Sequence, residues 1–575
     1  MKKELLITFG TLLLLLCLYS CKSGSSPDKE AIKVDSATLA RGEIAFTQNC
    51  SSCHNFKRDG IGPQLAGITS EASQEWLRNF IKNPKQVIES GDERAQNLFK
   101  KYHVVMPSFS ANADDEIQAI ISFLSTHKAG GEKMEVPDPR ALKNPIPDSI
   151  RFSGLVAGLK LVTQVPASSD SGKLPLTRIT KLDFQPNNGG SFLLDLRGKL
   201  YKLLNNQPVI YMDISKLEPR FINVPGLATG FGSFAFHPDF IKNGLLYTTH
   251  TEPAHSGRDD FGFPDSIKST LQWVLTEWKT DHPGAMPFEG KGRELLRVSM
   301  VSGIHGVQEI TFNPLVKPGD KDYGLLYIGI GDGGAVEEGY PFLAHSKERI
   351  WGTILRIDPA GNNSRNGRYG IPEDNPFTKM QGFTGFREIY AYGFRNPHRI
   401  TWSHTGQMLV CNVGHGNIES INLIFPGHDY GWPIREGSFL LNPYGNLNNV
   451  YPLPADDSSF HITYPVAQYD HDEGKAITGG YEYQGHAIPQ LKGKFLFGDI
   501  PTGRLFYIDM ADIGKGKQAT IKEWKVSIDG SIQTLKTICG TDRVDLHFGR
   551  DDKGELYIMT KPDGKLYKIV STDLK

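Results

Sequence analysis

The sequence predicts a multidomain chain, a small all-α unit followed by a large all-β unit that forms a six-bladed β-propeller. Three observations predict it. A Cys-Xaa-Xaa-Cys-His run at 50–54 sits between helical patterns. A stretch rich in Gly, Pro and Lys at 127–149 then breaks the texture. Beyond it, one strand–turn–strand pattern recurs six times. At 575 residues the chain is longer than one ordinary domain. Its 63 Lys plus Arg balance 64 Asp plus Glu, which leaves no electrostatic ground for a nucleic acid partner.

The first element, 1–20, reads as an export signal. "MKK" supplies the positive end, and 5–18 is an apolar run too short and too early for a spanning helix. "LYSC" ends it and resembles a bacterial lipobox, which implies lipidation of Cys21; a plain cleaved signal peptide is the other reading. The polar tether 21–35 follows. The expectation is an exported chain held to a bacterial membrane by an N-terminal lipid anchor, facing the periplasm or the cell exterior.

The second element, 36–128, turns on the cysteine pair. A CxxC serves a redox dithiol, half a zinc site or haem attachment. Zinc needs a second ligand pair, and the next cysteine is Cys411. A redox dithiol should follow a strand, whereas "SATLARGEIAFTQN" has helical period. The immediate His54 favours covalent haem c, with thioethers from Cys50 and Cys53 and the His54 imidazole on the iron. Pro63 and Leu65 are expected against the proximal histidine and the haem edge. Met106, in the loop "VVMPSFS", offers a thioether as sixth ligand, which raises the potential of an electron-transfer haem. His103 is the competing ligand, and a core methionine is the other reading of Met106. "ADDEIQAIISFLSTH" closes the unit as an amphipathic helix. The run resembles class I cytochrome c, which implies that the first and last helices cross near Gly42 and Phe46.

The third element, 129–149, is expected to be a linker. The fourth, 150–575, holds the repeat: 182–203, 234–250, 310–332, 400–414, a looser copy at 495–509, and 546–560. Six copies predict six propeller blades, with a sandwich as the alternative. The uneven spacing places 251–299 and 360–386 in loops. Cys411 and Cys539 are left as buried thiols or a disulfide.

Within this element "FAFHPDF", "GIHGVQEITFNP", "YIGIGDGG", "YGFRNPHRITW", "DYGWP" and "GELYIMTKPDGKLYKI" resemble the soluble glucose/sorbosone dehydrogenases that use pyrroloquinoline quinone (PQQ). The resemblance implies His305 as general base at the channel mouth, Asp332 as its orienting carboxylate, and Arg395 with Asn396 at the cofactor. It also implies calcium on main-chain carbonyls at Gly414 and His415. The chemistry is coherent: a near-neutral imidazole takes a hydroxyl proton while a carboxylate fixes its tautomer. The turn "FGDIPTGRLF" lacks the family's lysine, for which Lys475 is the expected substitute, and Arg543 stands where the family often has two arginines. The family's glutamine-bearing turn before "FAFHP" reads "LATGFGS" here.

The sequence thus supports an oxidoreductase that oxidises a sugar-like small molecule at a PQQ–calcium centre, reduces its own haem and then a downstream electron acceptor. The alternative is a non-catalytic glycan- or protein-binding propeller attached to an electron-transfer cytochrome.

Overall fold

The computed structural model describes residues 32, 35–50, 54–56, 59, 62–102, 104–129, 138–170, 172–226 and 228–574. The expected signal segment 1–20, the lipidation site Cys21, Cys53 and His103 lie outside the described residues.

The front unit is helical. Its first helix, Ser36–Asn49, starts at Asp35, whose carboxylate accepts from Thr38 N at 2.9 Å and so satisfies an orphan amide of the first turn. Its last helix, Asp114–Ser125, opens on three acids and buries Ile117, Ile120, Ile121 and Leu124. The two cross at Gly42, where a Cβ would stand 2.0 Å from the Ala119 carbonyl oxygen. Only a residue without a side chain lets the backbones meet there. Phe46 stacks on Phe56 and packs beside Phe123.

The large unit is a ring of six four-stranded blades. Their innermost strands are Ile179–Phe184, Phe231–Phe236, Glu309–Phe312, Pro397–Trp402, Ile477–Glu482 and Leu546–Arg550. Several strands are buried on both faces, as "FGSFAF" and "LYIGI" are, because each blade is sandwiched between two others. The ring closes through Phe152–Gln164, the first strand of the unit. It pairs antiparallel with the last strand, Lys565–Leu574, and parallel with Lys522–Ile528 of the blade before.

Five of the six sequence copies coincide with the first hairpin of a blade. The copy at 495–509 is instead the second hairpin of the fifth blade, whose inner strand is the Gly-rich "ITGGYE". Segment 251–299 is not all loop. It carries the long strands Leu271–Lys279 and Lys291–Met300 of the second blade. Segment 360–386 is a loop between Thr353–Ile357 and Ile389–Tyr392.

Four inner strands knot at the axis. Lys181 Nζ donates to Glu309 Oε1 at 2.7 Å, to Ser233 Oγ at 3.1 Å and to the Ile310 carbonyl at 2.9 Å. Arg399 pairs with the other oxygen of Glu309 and donates to the Thr180 carbonyl at 3.0 Å. All three charges are buried, so removing one partner is expected to cost about 3–5 kcal/mol. Among the described residues, two ion pairs join the units, Lys173–Glu116 at 2.8 Å and Lys85–Asp542 at 3.6 Å. The described part of the expected linker lies on the propeller: Leu142 N donates to the Val450 carbonyl at 2.9 Å and Ile146 N to Asp470 at 3.0 Å. Cys411 and Cys539 are free thiols, with no bond between them.

Candidate functional site

Two centres border one another. In the helical unit, His54 Nδ1 donates to the Pro63 carbonyl at 2.8 Å. A carbonyl can only accept, so the proton sits on Nδ1 and the Nε2 lone pair is free for a metal. Burial lowers the His54 pKa, which keeps the ring neutral as a ligand must be. Gly62 lies flat against this ring; a Cβ there would stand 2.4 Å from His54 Cε1. Cys50, His54, Pro63, Leu65 and Met106 line one apolar crevice. An imidazole with a fixed tautomer, a thiol, a thioether and apolar walls fit a covalently held haem. Pro63 acts through its backbone oxygen, a contact the sequence reading had taken as side-chain packing.

In the propeller, loops from the ends of the inner strands enclose a cavity of about 570 Å³. His305 precedes the strand Glu309–Phe312 and adopts φ +51°, a strained left-handed conformation of the kind found at functional sites. It is held there by Gly331, where a Cβ would meet the His305 carbonyl oxygen at 2.2 Å. His305 Nδ1 donates to Asp332 Oδ1 at 2.8 Å. Asp332 is fully buried and also accepts from Gly334 N at 2.9 Å and from Trp432 Nε1 at 3.0 Å. The carboxylate therefore fixes the imidazole tautomer and leaves Nε2 as the basic nitrogen.

Arg395 and Asn396 follow the strand Ile389–Tyr392 and border the same cavity. The Arg395 guanidinium pairs with Glu337, donates to the Gly414 carbonyl and lies 5.7 Å from the Trp432 ring centroid. His415 Nδ1 lies 3.0 Å from the same Glu337 oxygen. Burial pushes the Glu337 carboxyl up, but Arg395 and His415 outweigh it and hold the group well below the usual range. Lys475 borders the cavity, and its Nζ makes no hydrogen bond among the described residues. Arg543 donates to Asp545 at 2.8 Å and lines both this cavity and the haem crevice.

The expected calcium ligands are arranged otherwise. The Gly414 carbonyl is turned to the Arg395 guanidinium, and the His415 imidazole to Glu337. The amides of His415, Gly416, Asn417 and Ile418 all converge on Glu436 Oε1. The Gly414 carbonyl is engaged by a guanidinium that would repel a cation there, so Gly414 does not fit calcium in this arrangement. A flat polyanion such as PQQ does fit: seven Lys or Arg side chains border the cavity against three carboxylates.

Sequence reasoning missed Glu337, Trp432, His398, His547 and Lys561. Glu337 follows Asp332 by five residues in one turn, and His398 follows Asn396 by two. Lys561 opens the turn after Leu556–Thr560. The usable signal was position, since every one lies in or beside a loop at the same end of the inner strands.

The cavity wall also includes Phe46, His54, Asn55 and Phe56 of the helical unit. The haem crevice and the propeller cavity thus share a boundary.

Comparison with known proteins agrees with both halves. The family model for Glucose / Sorbosone dehydrogenase matches residues 180–568, and that for Cytochrome c matches residues 39–128. HIPL1 protein of Arabidopsis thaliana is 26% identical over 384 residues, covering 59% of this chain and 53% of the relative. Quinoprotein glucose dehydrogenase B of Acinetobacter calcoaceticus is 25% identical over 343 residues, covering 55% of this chain and 64% of the relative. The chain thus spans about half the length of HIPL1. Among solved structures, the soluble aldose sugar dehydrogenase of Escherichia coli in its apo form aligns with TM-score 0.48 at 18% identity, over 73% of this chain and all of that one.

Proposed function

The chain belongs to the glucose/sorbosone dehydrogenase family and carries a cytochrome c domain ahead of it, and from this we propose that it oxidises a sugar or related alcohol in the propeller cavity and passes the electrons to its own haem. The observation that carries the reading is the shared cavity, bordered on one side by His305 and on the other by His54 and Phe46.

His305 Nε2 takes the proton of the substrate hydroxyl. Asp332 accepts from Nδ1 and stabilises the imidazolium that forms, while Trp432 and Gly334 hold the carboxylate in place. PQQ, when bound, supplies the two-electron acceptor. Lys475, Asn396 and Arg543 would hold it by its oxygens. The helical unit contributes to the cavity wall, so the two centres adjoin. Because both sit on one chain, the acceptor is always at high effective concentration. Export and lipid anchoring through Cys21 belong to the same proposal, with the reduced haem serving an acceptor outside the cytoplasm.

The test uses the haem-loaded full chain with PQQ, a panel of aldoses and the haem absorption spectrum. Sugar-driven reduction that requires PQQ and vanishes in His305→Ala is the expected result. The engagement of Arg395 by Glu337 and Gly414 favours a second reading, a non-catalytic glycan- or protein-binding propeller. Absence of reduction with every sugar, together with no retained PQQ, would select it.

A further inference from the structure

Below His305 the cavity ends on Arg399, which belongs to the axial knot. Three side chains at this closed end have no role in the reading above. His398 and His547 are buried, with ring centroids 5.5 Å apart. Among the described residues, His398 Nδ1 and His547 Nε2 have no hydrogen-bond partner. Lys561 is nine-tenths buried, and its ammonium makes no hydrogen bond among the described residues. The nearby carboxylate, Asp545, already accepts from Arg543. Arg178, also on this wall, spends its guanidinium on the carbonyls of Asn223, Gly226 and Thr229.

We propose that His398, His547 and Lys561 form a carboxylate-binding site at the closed end of the propeller cavity. All three line the one cavity, and among the described residues His398 Nδ1, His547 Nε2 and the Lys561 ammonium have no acceptor of their own. Thr478 Oγ1 lies 3.3 Å from His547 Nδ1. When that hydroxyl donates, His547 carries its proton on Nε2 and presents a donor to the cavity. A metal ion is disfavoured here, since Lys561, Arg399 and Arg178 all repel it. A carboxylate instead accepts from the ammonium and from His547 Nε2, with His398 beside them, and its charge offsets the buried excess. Burial, with Arg178 and Arg543 nearby, brings the Lys561 pKa down to about 8 against the pull of Asp545 and Asp195. Burial, with Arg399 and Lys561, likewise lowers both histidines. A bound anion holds the ammonium protonated, so binding weakens as pH rises through about 8.

The carboxylate has two possible sources, a sugar acid and the quinone cofactor itself, and the experiment separates them. The haem-loaded full chain without added PQQ is titrated calorimetrically with gluconate and, as a neutral control, sorbitol. PQQ retention is measured in parallel. Neither measurement requires turnover, so failure here is distinct from failure of the dehydrogenase reading. The expected result is that Lys561→Met weakens one of the two ligands about tenfold or more, the worth of a charge-assisted hydrogen bond. Gluconate affected alone identifies a sugar acid, and PQQ affected alone identifies the cofactor. Lys561→Arg, which keeps the charge, retains binding and separates the effect from misfolding, as does an unchanged haem spectrum. His547→Gln weakens the same ligand. Wild-type affinity for both ligands in Lys561→Met would overturn the proposal and leave the site to water.

Discussion

Replacing Asp332 by Asn tests the base most directly. The wild-type carboxylate accepts from His305 Nδ1 at 2.8 Å, Gly334 N at 2.9 Å and Trp432 Nε1 at 3.0 Å. An asparagine has one oxygen and one NH₂ to offer. If the oxygen keeps His305 and Gly334, the NH₂ faces the Trp432 N–H, donor against donor. That costs about 1–3 kcal/mol of stability, because the site is fully buried. If the amide flips, its NH₂ forces the His305 proton onto Nε2, and the basic nitrogen is lost. In either orientation the imidazolium loses its counter-charge. The expected loss in haem reduction rate is about 10²–10⁴-fold, the range of a disabled general base. The assay is single-turnover stopped-flow of the PQQ-loaded, haem-loaded chain with excess sugar, alongside a thermal melt. Trp432→Phe relieves the donor clash and is expected to recover stability in the double variant without recovering rate. A rate in Asp332→Asn within about threefold of wild type would refute His305–Asp332 as the base pair.

Two further outcomes follow from the same structure. Met106→Ala should open the sixth haem position to carbon monoxide and lower the reduction potential in a spectroelectrochemical titration; an unchanged potential would mean another ligand holds the iron. The second concerns Glu419, beneath the Gly414 turn. Burial pushes its carboxyl from 4.5 up to about 8 and the His471 imbedded beside it down to about 3, so their 3.0 Å contact is uncharged at neutral pH. Between 4.5 and 6.5 the proton that folded Glu419 keeps is offset by the one that unfolded His471 binds, so the folded state binds one proton more than the unfolded chain only between 6.5 and about 8. Stability from this pair therefore falls as pH rises from 6.5 through about 8, with a slope of at most about 1.4 kcal/mol per pH unit. Urea midpoints across this range should flatten in Glu419→Gln, and an equal slope in the variant would contradict the assignment.

The haem half was legible because its chemistry is local. Cys50 and His54 lie within one turn, and Gly42 sits where helix packing demands it. The propeller was legible as a count of hairpins, but its phase slipped at the fifth copy. There the inner strand "ITGGYE" lacks the apolar alternation that marked the others. Strands Leu271–Lys279, buried almost throughout, and Lys291–Met300, exposed at its start and buried over its last six residues, were hidden because neither shows the alternation of a half-exposed strand. His305 and Asp332 were found through motif position. The charges that finish the site were not, because their partners come from other blades. Glu309 reaches Lys181 across 128 positions, and Glu337 reaches Arg395 across 58. No window along the chain contains such pairs.

The strand Phe152–Gln164 closes the ring on Lys565–Leu574, which come some four hundred residues later in the chain. Until those residues have been synthesised, that early strand has no antiparallel mate, while the helical unit ahead of it already has all its parts. Maturation is thereby ordered in time: the cytochrome is complete hundreds of residues before the ring can lock. A truncation that removes Lys565–Leu574 would leave two raw sheet edges, and such a product is bound for aggregation rather than partial activity.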